Sequence, residues 1–199
     1  MFAIRAAEAE DVDSAVAALG EAFAGDPLIS YLFEEGPVGV RASAEVFFSI
    51  LLRARIALGM PAYVLEQEGG VAGVVMGYDI SRPAWPPALT EEWGRLETDV
   101  PEFTARIAEY DRISVPCQPA DAHYYLGVIG VHSTLQGRGA GRALLEAFCA
   151  LSLADPKSHG VFLETASLAS LRFYQRNGFE IRGEGTLGSA PLWCVYMPT

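Results

Sequence analysis

The stretch from His123 to Ala150, HYYLGVIGVHSTLQGRGAGRALLEAFCA, constrains this chain more than any other. His123 to Val131 is aromatic and β-branched, as a strand requires. Gln136-Gly137-Arg138-Gly139-Ala140-Gly141 follows, and then Leu144, Leu145, Phe148 and Leu151 recur at helical spacing. A strand that enters a helix through a loop of small residues leaves the helix's first backbone N–H groups free. Those donors sit at the positive end of the helix dipole, where an anion such as phosphate or diphosphate binds. Each charge-assisted contact is worth about 1.5–3 kcal/mol, so several together hold a nucleotide-type ligand.

Three phosphate loops compete for this stretch. A P-loop would end in Lys-Ser or Lys-Thr, which is missing here. The dinucleotide fingerprint G-x-G-x-x-G belongs near the start of a βαβ series, and the glycine spacing does not match it. The pattern Q/R-x-x-G-x-G/A is met in full by Gln136, Gly139 and Gly141. Read from the loop alone, a tight strand-to-helix turn with nothing bound explains the residues as well.

Composition narrows the classes. The 199 residues suffice for one core, and 51% of them are hydrophobic, well above a disordered chain. No apolar run approaches the ~20 residues that span a bilayer, and the acidic start MFAIRAAEAEDVD does not read as a signal peptide. Three cysteines, Cys117, Cys149 and Cys194, lack C-x-x-C spacing and predict a reducing cytoplasm. A net charge of −11 speaks against a nucleic-acid surface. No spacing of histidine and cysteine suggests a metal site.

The periodicity predicts a strand at Phe2–Arg5, then a helix capped by Asp11 with Val12, Val16, Leu19 and Phe23 on one face, ended by Asp26-Pro27. A second helix, Arg41–Leu58, turns Val46, Phe47, Ile50, Leu51 and Ala54 inward and stops at Gly59 and Pro61. Tyr63–Glu66 and Val71–Ile80 form a hairpin about Gly69-Gly70. Ser81 to Ala122 breaks the pattern: it holds Trp85 and Trp93, is rich in proline, and carries a helix near Glu102–Tyr110. It reads as a lid or a contact surface, its tryptophans equally as plain packing. Val161–Thr165 is a buried strand. Ser167 caps a last helix, Leu168–Arg176, closed by Asn177-Gly178, and strands Phe179–Arg182 and Leu192–Met197 follow across a Gly-rich loop. The order is β-α-α-β-β, insert, β-α-β-α-β-β. It predicts an α/β (α+β) fold with a mixed, twisted central sheet and helices on both faces.

The Gln136 loop, the downstream SLASLRFYQRNGF (Ser167–Phe179) with its Tyr-x-x-x-Gly-Phe ending, and the start IRAAEAEDVDSAVAALGEAF together resemble the GNAT (GCN5-related) N-acetyltransferases. LGVIGVHSTLQGRGAG, FLETAS and PLWCVYMP look most like the puromycin N-acetyltransferase-like branch. The resemblance covers most of residues 1–199, taken as a single domain with an insertion at about 81–122 between the third and fourth strands. It implies a GNAT fold with about seven mostly antiparallel strands, and acetyl transfer from acetyl-CoA directly to an amine in a ternary complex. The preferred acceptor is a small molecule. A protein N-terminus or lysine, and a non-catalytic acyl-CoA-binding regulator, are the alternatives. Neither nucleic acid nor membrane is an expected partner, and the chain is expected as monomer or homodimer, with Leu192–Met197 a possible sheet edge.

The resemblance also assigns roles. Ile129, Gly130 and Val131 on the splayed fourth strand would hold the pantetheine arm, and Gln136, Gly137, Arg138, Gly139, Ala140, Gly141 and Arg142 the phosphates. Ser167 stands where relatives carry a cofactor-contacting asparagine, and Ala169 where they carry a second. Tyr174 falls on the tyrosine that protonates the departing thiolate; the plain alternative is a core tyrosine beside Phe173 and Leu171. Relatives often place a basic glutamate on the fourth strand, where this chain has Tyr125, a poor base. His123, Glu164 or a relayed water remain as bases. Tyr125 and Trp85 are then candidates to touch the acceptor. His132 is expected in solvent, and His159 and Cys149 as structural.

Overall fold

The computed structural model describes residues 2–67 and 70–199. The expected turn at Gly69-Gly70 therefore lies partly outside the described residues. Strand β1 (Ala3–Ala6) leads through a 3-10 turn into α1 (Val12–Ala22). Asp11 does not cap α1 with its side chain as expected. Its carboxylate takes two hydrogen bonds from Arg5, at 2.6 and 2.7 Å, and one from the Glu8 amide. The nearby guanidinium outcompetes the helix end.

Asp26-Pro27 does more than close α1. Asp26 Oδ1 accepts from the Leu28 and Ile29 amides, both at 3.0 Å, and Pro27 occupies the first turn of a further helix, α2 (Pro27–Phe33). Aspartate followed by proline is also a helix-start signal, because the missing N–H of proline costs nothing there. Helix α3 spans Val40–Ala57. Ile50, Leu51 and Ala54 face inward as expected and Phe47 is half-buried, but Val46 is 48% exposed. Ala44, Phe48 and Leu52, spaced by four, take the inward stripe that excludes it.

Strands β2 (Ala62–Gln67) and β3 (Gly70–Tyr78) follow. The segment between β3 and the next strand contains two helices, α4 (Pro87–Asp99) and α5 (Phe103–Ser114). Only α5 was foreseen. Then come β4 (Tyr124–Val131), α6 (Ala140–Ala154), β5 (Gly160–Thr165), α7 (Leu168–Arg176), β6 (Glu180–Leu187) and β7 (Ala190–Pro198). The last two strands meet at a tight Gly188-Ser189 turn, with Gly188 at φ 57°, in place of the expected Gly-rich loop.

All seven strands form one sheet in the order β1-β2-β3-β4-β5-β7-β6. Every neighbouring pair is antiparallel except β4–β5. Strand β7 lies between β5 and β6, so Leu192–Met197 is interior and offers no sheet edge. Alternation along the strands separates two cores. Val64, Val74, Met76 and Val128 pack with Leu19, Phe33, Phe48 and Phe103 from the side of α1, α3 and α5. Leu65, Val75, Leu126 and Leu163 pack with Leu144, Phe148 and Leu171 from α6 and α7. Helix α5 also lies on β6, where Ile113 occupies the space a side chain at Gly185 would need.

Candidate active site

The parallel pair β4–β5 is joined only at Tyr124–Val161 and Tyr125–Phe162. Beyond these the two strands part while β4 stays paired with β3 up to Val131. The His132 amide donates across to the Ala72 carbonyl at 2.9 Å. With a strand period of two, the amides of Gly130 and Val128 point the same way, and those of Ile129 and Val131 point into the gap. A register shift at Met76/Gly77 accompanies the parting. At Gly77 a Cβ would lie 1.9 Å from the Tyr125 carbonyl oxygen and 2.7 Å from the Phe148 ring, so only glycine fits.

The gap opens into a groove of about 840 Å³. Ile129, Gly130 and Val131 form one wall, and Gln136, Gly137, Gly139, Gly141 and Arg142 the end at α6. Gly137 (φ 73°) and Gly139 (φ 87°) adopt left-handed backbone, which puts the loop's curvature beyond what side-chain-bearing residues hold without strain. Gly139 is the N-cap of α6, and no side chain caps that end. Among the described residues, the amides of Gly137, Gly139 and Ala140 donate to no backbone acceptor. Together they are a concave set of donors at a helix N-terminus, the arrangement that binds a diphosphate.

Several expected contacts take a different form. Gln136 Nε2 donates to the Val131 carbonyl at 3.3 Å and so ties the loop to the strand end. Arg142 Nε pairs with Glu146 at 2.7 Å, one turn on. Arg138 is exposed and does not line the groove, and the Ala140 side chain is fully buried beneath the helix. The Ser167 hydroxyl accepts from the Ser170 amide as the cap of α7 and lies outside the groove lining. His132 is not simply solvated: its Nε2 lies 2.8 Å from Glu21 on α1 and fastens the loop.

Tyr174 is 6% exposed, and its ring meets Phe173 and Phe179 edge-on, at 5.3 and 5.6 Å between centroids. It nevertheless lines the groove. Burial, with a smaller contribution from Asp26, raises its phenol well above the ordinary range, so it stays protonated at every physiological pH. Arg176 and Asn177 at the end of α7, and Phe23 and Asp26 after α1, also line the groove and had not been singled out. The basic residue in the last turn of the final helix was the only available signal for any of them.

A second group gathers where β4 and β5 part. Phe162 on β5 stacks on Tyr125 at 6.4 Å and meets His123 edge-on at 5.9 Å. The Tyr125 hydroxyl is 3.2 Å from the hydroxyl of Tyr110 on α5. Glu164 lies two residues beyond Phe162 on the same face of β5, and burial pushes its pKa up to about 7, the nearby phenols of Tyr110 and Tyr125 opposing the rise. Glu164 thus changes charge near neutrality. His123 precedes β4. Its Nδ1 donates to the Asp121 carbonyl at 2.8 Å, its Nε2 is buried without a partner among the described residues, and burial lowers its pKa. Trp85 donates from Nε1 to the Tyr78 hydroxyl at 2.6 Å and packs on Trp93. It walls in Arg55, whose guanidinium sits 4.0 Å above the Tyr78 ring. Tyr125 and Glu164 therefore share one face of the sheet, while Trp85 belongs to a neighbouring aromatic compartment.

Comparison with known proteins agrees with this architecture. Residues 103–181 match the family model described as an acetyltransferase (GNAT) domain. The whole chain aligns with 97% of a histone acetyltransferase HPA2 and related acetyltransferase from Corynebacterium glutamicum, at 22% identity and TM-score 0.72. It aligns equally fully with 98% of a GNAT family acetyltransferase from Bacillus cereus (14%, TM-score 0.56). The ribosomal-protein-S18-alanine N-acetyltransferase from Escherichia coli is covered over 94% of its length (17%, TM-score 0.57). The fold is the GNAT fold, with a GNAT acetyltransferase domain recognisable over 103–181. No described helix is long and apolar enough to cross a membrane.

Proposed function

We propose that this protein is an N-acetyltransferase that moves acetyl from acetyl-CoA directly to the amine of a small molecule. The observation that carries the reading is the parted β4–β5 pair opening onto an uncapped, glycine-rich helix N-terminus. The loop amides of Gly137, Gly139 and Ala140 hold the diphosphate. The amides of Ile129 and Val131 hold the pantetheine arm, and one of them polarises the thioester carbonyl.

Glu164 takes a proton from the acceptor ammonium, a task suited to a carboxylate titrating at about 7. The amine nitrogen then attacks the carbonyl carbon, the carbon–sulfur bond breaks as Tyr174 gives its proton to the thiolate, and the proton still held in excess by the acylated nitrogen restores the phenol. Tyr174 suits that role because burial keeps it neutral. The neutral His123 lies across the Phe162 ring from Tyr125, and Glu164 is preferred to it because burial brings its ionisation to about 7 whereas it lowers that of His123. A small acceptor is favoured because α5 brings Tyr110 onto Tyr125 of β4, where a protein substrate needs an open trough.

Incubating the protein with acetyl-CoA and a panel of small amines and peptides, with detection of released thiol, tests the reading. Turnover with small amines and none with peptides supports it. Peptide-only turnover moves the acceptor to protein, and tight acetyl-CoA binding with no turnover at all supports a regulator.

A further inference from the structure

Arg55, near the end of α3, is the only buried arginine among the described residues, at 4% exposure. Its Nε and Nη1 are closed to solvent and have no hydrogen-bond partner there, and no carboxylate pairs with it. Arg5, Arg53 and Arg106 each have a carboxylate, from Asp11, Glu92 and Glu34. Carboxylates are not scarce in a chain with 25 acidic residues and a net charge of −11. A buried guanidinium without a counter-ion is costly, and contact with an aromatic face offsets only part of that cost.

The surroundings of Arg55 are aromatic and adjoin the acceptor side of the site. Its guanidinium carbon lies 4.0 Å from the centre of the Tyr78 ring and 5.5 Å from that of Trp85. Tyr78 faces Tyr125 across β3–β4, and Tyr125 faces Phe162 across β4–β5, so the three rings form one row on the sheet. Opposed side chains start about 5 Å apart, which leaves Arg55 within a strand's width of Tyr125. Tyr78, Trp85 and Tyr125 are half-buried, and Arg82, 5.2 Å from the same Tyr78 ring, is exposed. The compartment therefore has a rim in solvent and a cationic floor.

We infer that Arg55 receives a carboxylate carried by the acceptor, so that the acceptors of this protein are amines that also bear a carboxylate. The inference names the second group of the acceptor and rests on the acetyl-transfer reading given above. The planar fork of a guanidinium matches a carboxylate through two parallel hydrogen bonds, and Arg55 keeps donors free for them. The bound carboxylate supplies the counter-ion that the fold withholds. The rings of Tyr78 and Trp85 suit the apolar part that joins the two ends of such a molecule. Because Nε and Nη1 are closed to solvent, entry requires Trp85 to move aside. Trp85 sits on the stretch between β3 and α4 that is neither helix nor strand.

Nitrogen NMR on the full chain labelled at arginine reads the site without acetyl-CoA or turnover. Arg55→Met, or Arg55→Lys should the first fail to fold, assigns the Arg55 Nε–H signal by its disappearance. Benzoate, an aromatic carboxylate, should shift that signal saturably, and benzamide, its neutral twin, should leave it in place. In turnover with acetyl-CoA, para-aminomethylbenzoate should exceed its amide about ten-fold or more in kcat/KM, mainly through KM, as for one charge-assisted pair. The difference should close in Arg55→Met or Arg55→Lys. An Arg55 signal unmoved by benzoate, or equal kcat/KM for the two amines in the wild type, overturns the inference while acetyl transfer stands. A benzoate shift at Arg55 with no turnover of any amine supports Arg55 as a carboxylate receptor and overturns the acetyl-transfer reading.

Discussion

Glu164 and Tyr174 are pushed in the same direction by the same cause, with opposite consequences. Burial raises both. For the phenol this removes ionisation from the accessible range, and for the carboxylate it brings ionisation into that range. The folded Glu164, at about 7, binds a proton that the unfolded chain, near 4.3, has already released. Stability from this group is therefore complete below pH 4.3 and is lost as pH rises through 7. Glu164→Gln should accordingly gain in melting temperature over the wild type between pH 4.5 and pH 8; a difference that is constant with pH would contradict the raised pKa. Turnover should rise with pH through about 7 and vanish in Glu164→Gln. Tyr174→Phe should bind acetyl-CoA as before and lose at least ten-fold in turnover, as for removal of a positioned general acid, whose contribution is typically 10²–10⁴-fold. Unchanged turnover would reduce Tyr174 to a core residue. None of this residue-scale electrostatics was legible in the sequence, because burial and the nearby phenols come from elements far apart in the chain.

At the scale of elements, the sequence disclosed most where backbone conformation restricts residue choice. Gly137 and Gly139 stand where φ is positive, so the turn ahead of α6 could be read from its glycines. Helices α2 and α4 were missed because each opens on proline, in Asp26-Pro27 and Pro86-Pro87, and proline marks a helix start as well as a stop. Val46 was misplaced because a helix rich in apolar residues offers more than one stripe. The parting of β4 from β5 is accompanied by the irregular β3–β4 pairing around Gly77. Gly77→Ala would force a Cβ onto the Tyr125 carbonyl and the Phe148 ring. It should cost about 2–4 kcal/mol of stability in chemical denaturation. A loss under 1 kcal/mol would show that the strand relaxes freely there.

At the scale of the molecule, one sheet carries two cores and a gap between them. Strand order explains why the groove falls where it does: among the described residues β4 and β5 are the only parallel neighbours, and their connection runs through α6, whose N-terminus faces the gap. The fold class followed from the alternation of elements, while the parting of β4 from β5 was expected only from the family resemblance. The pairing of Tyr110 with Tyr125 was not foreseen, since α5 reaches β4 only through the folded position of the insertion. The account as a whole depends on main-chain donors gripping acetyl-CoA. Titrating ¹⁵N-labelled protein with acetyl-CoA and following its amide signals tests this most directly. Saturable shifts centred on Gly137, Gly139 and Ala140, with Ile129 and Val131 moving together with them, are the predicted result. Shifts confined to other parts of the chain, or none at saturating acetyl-CoA, would contradict it.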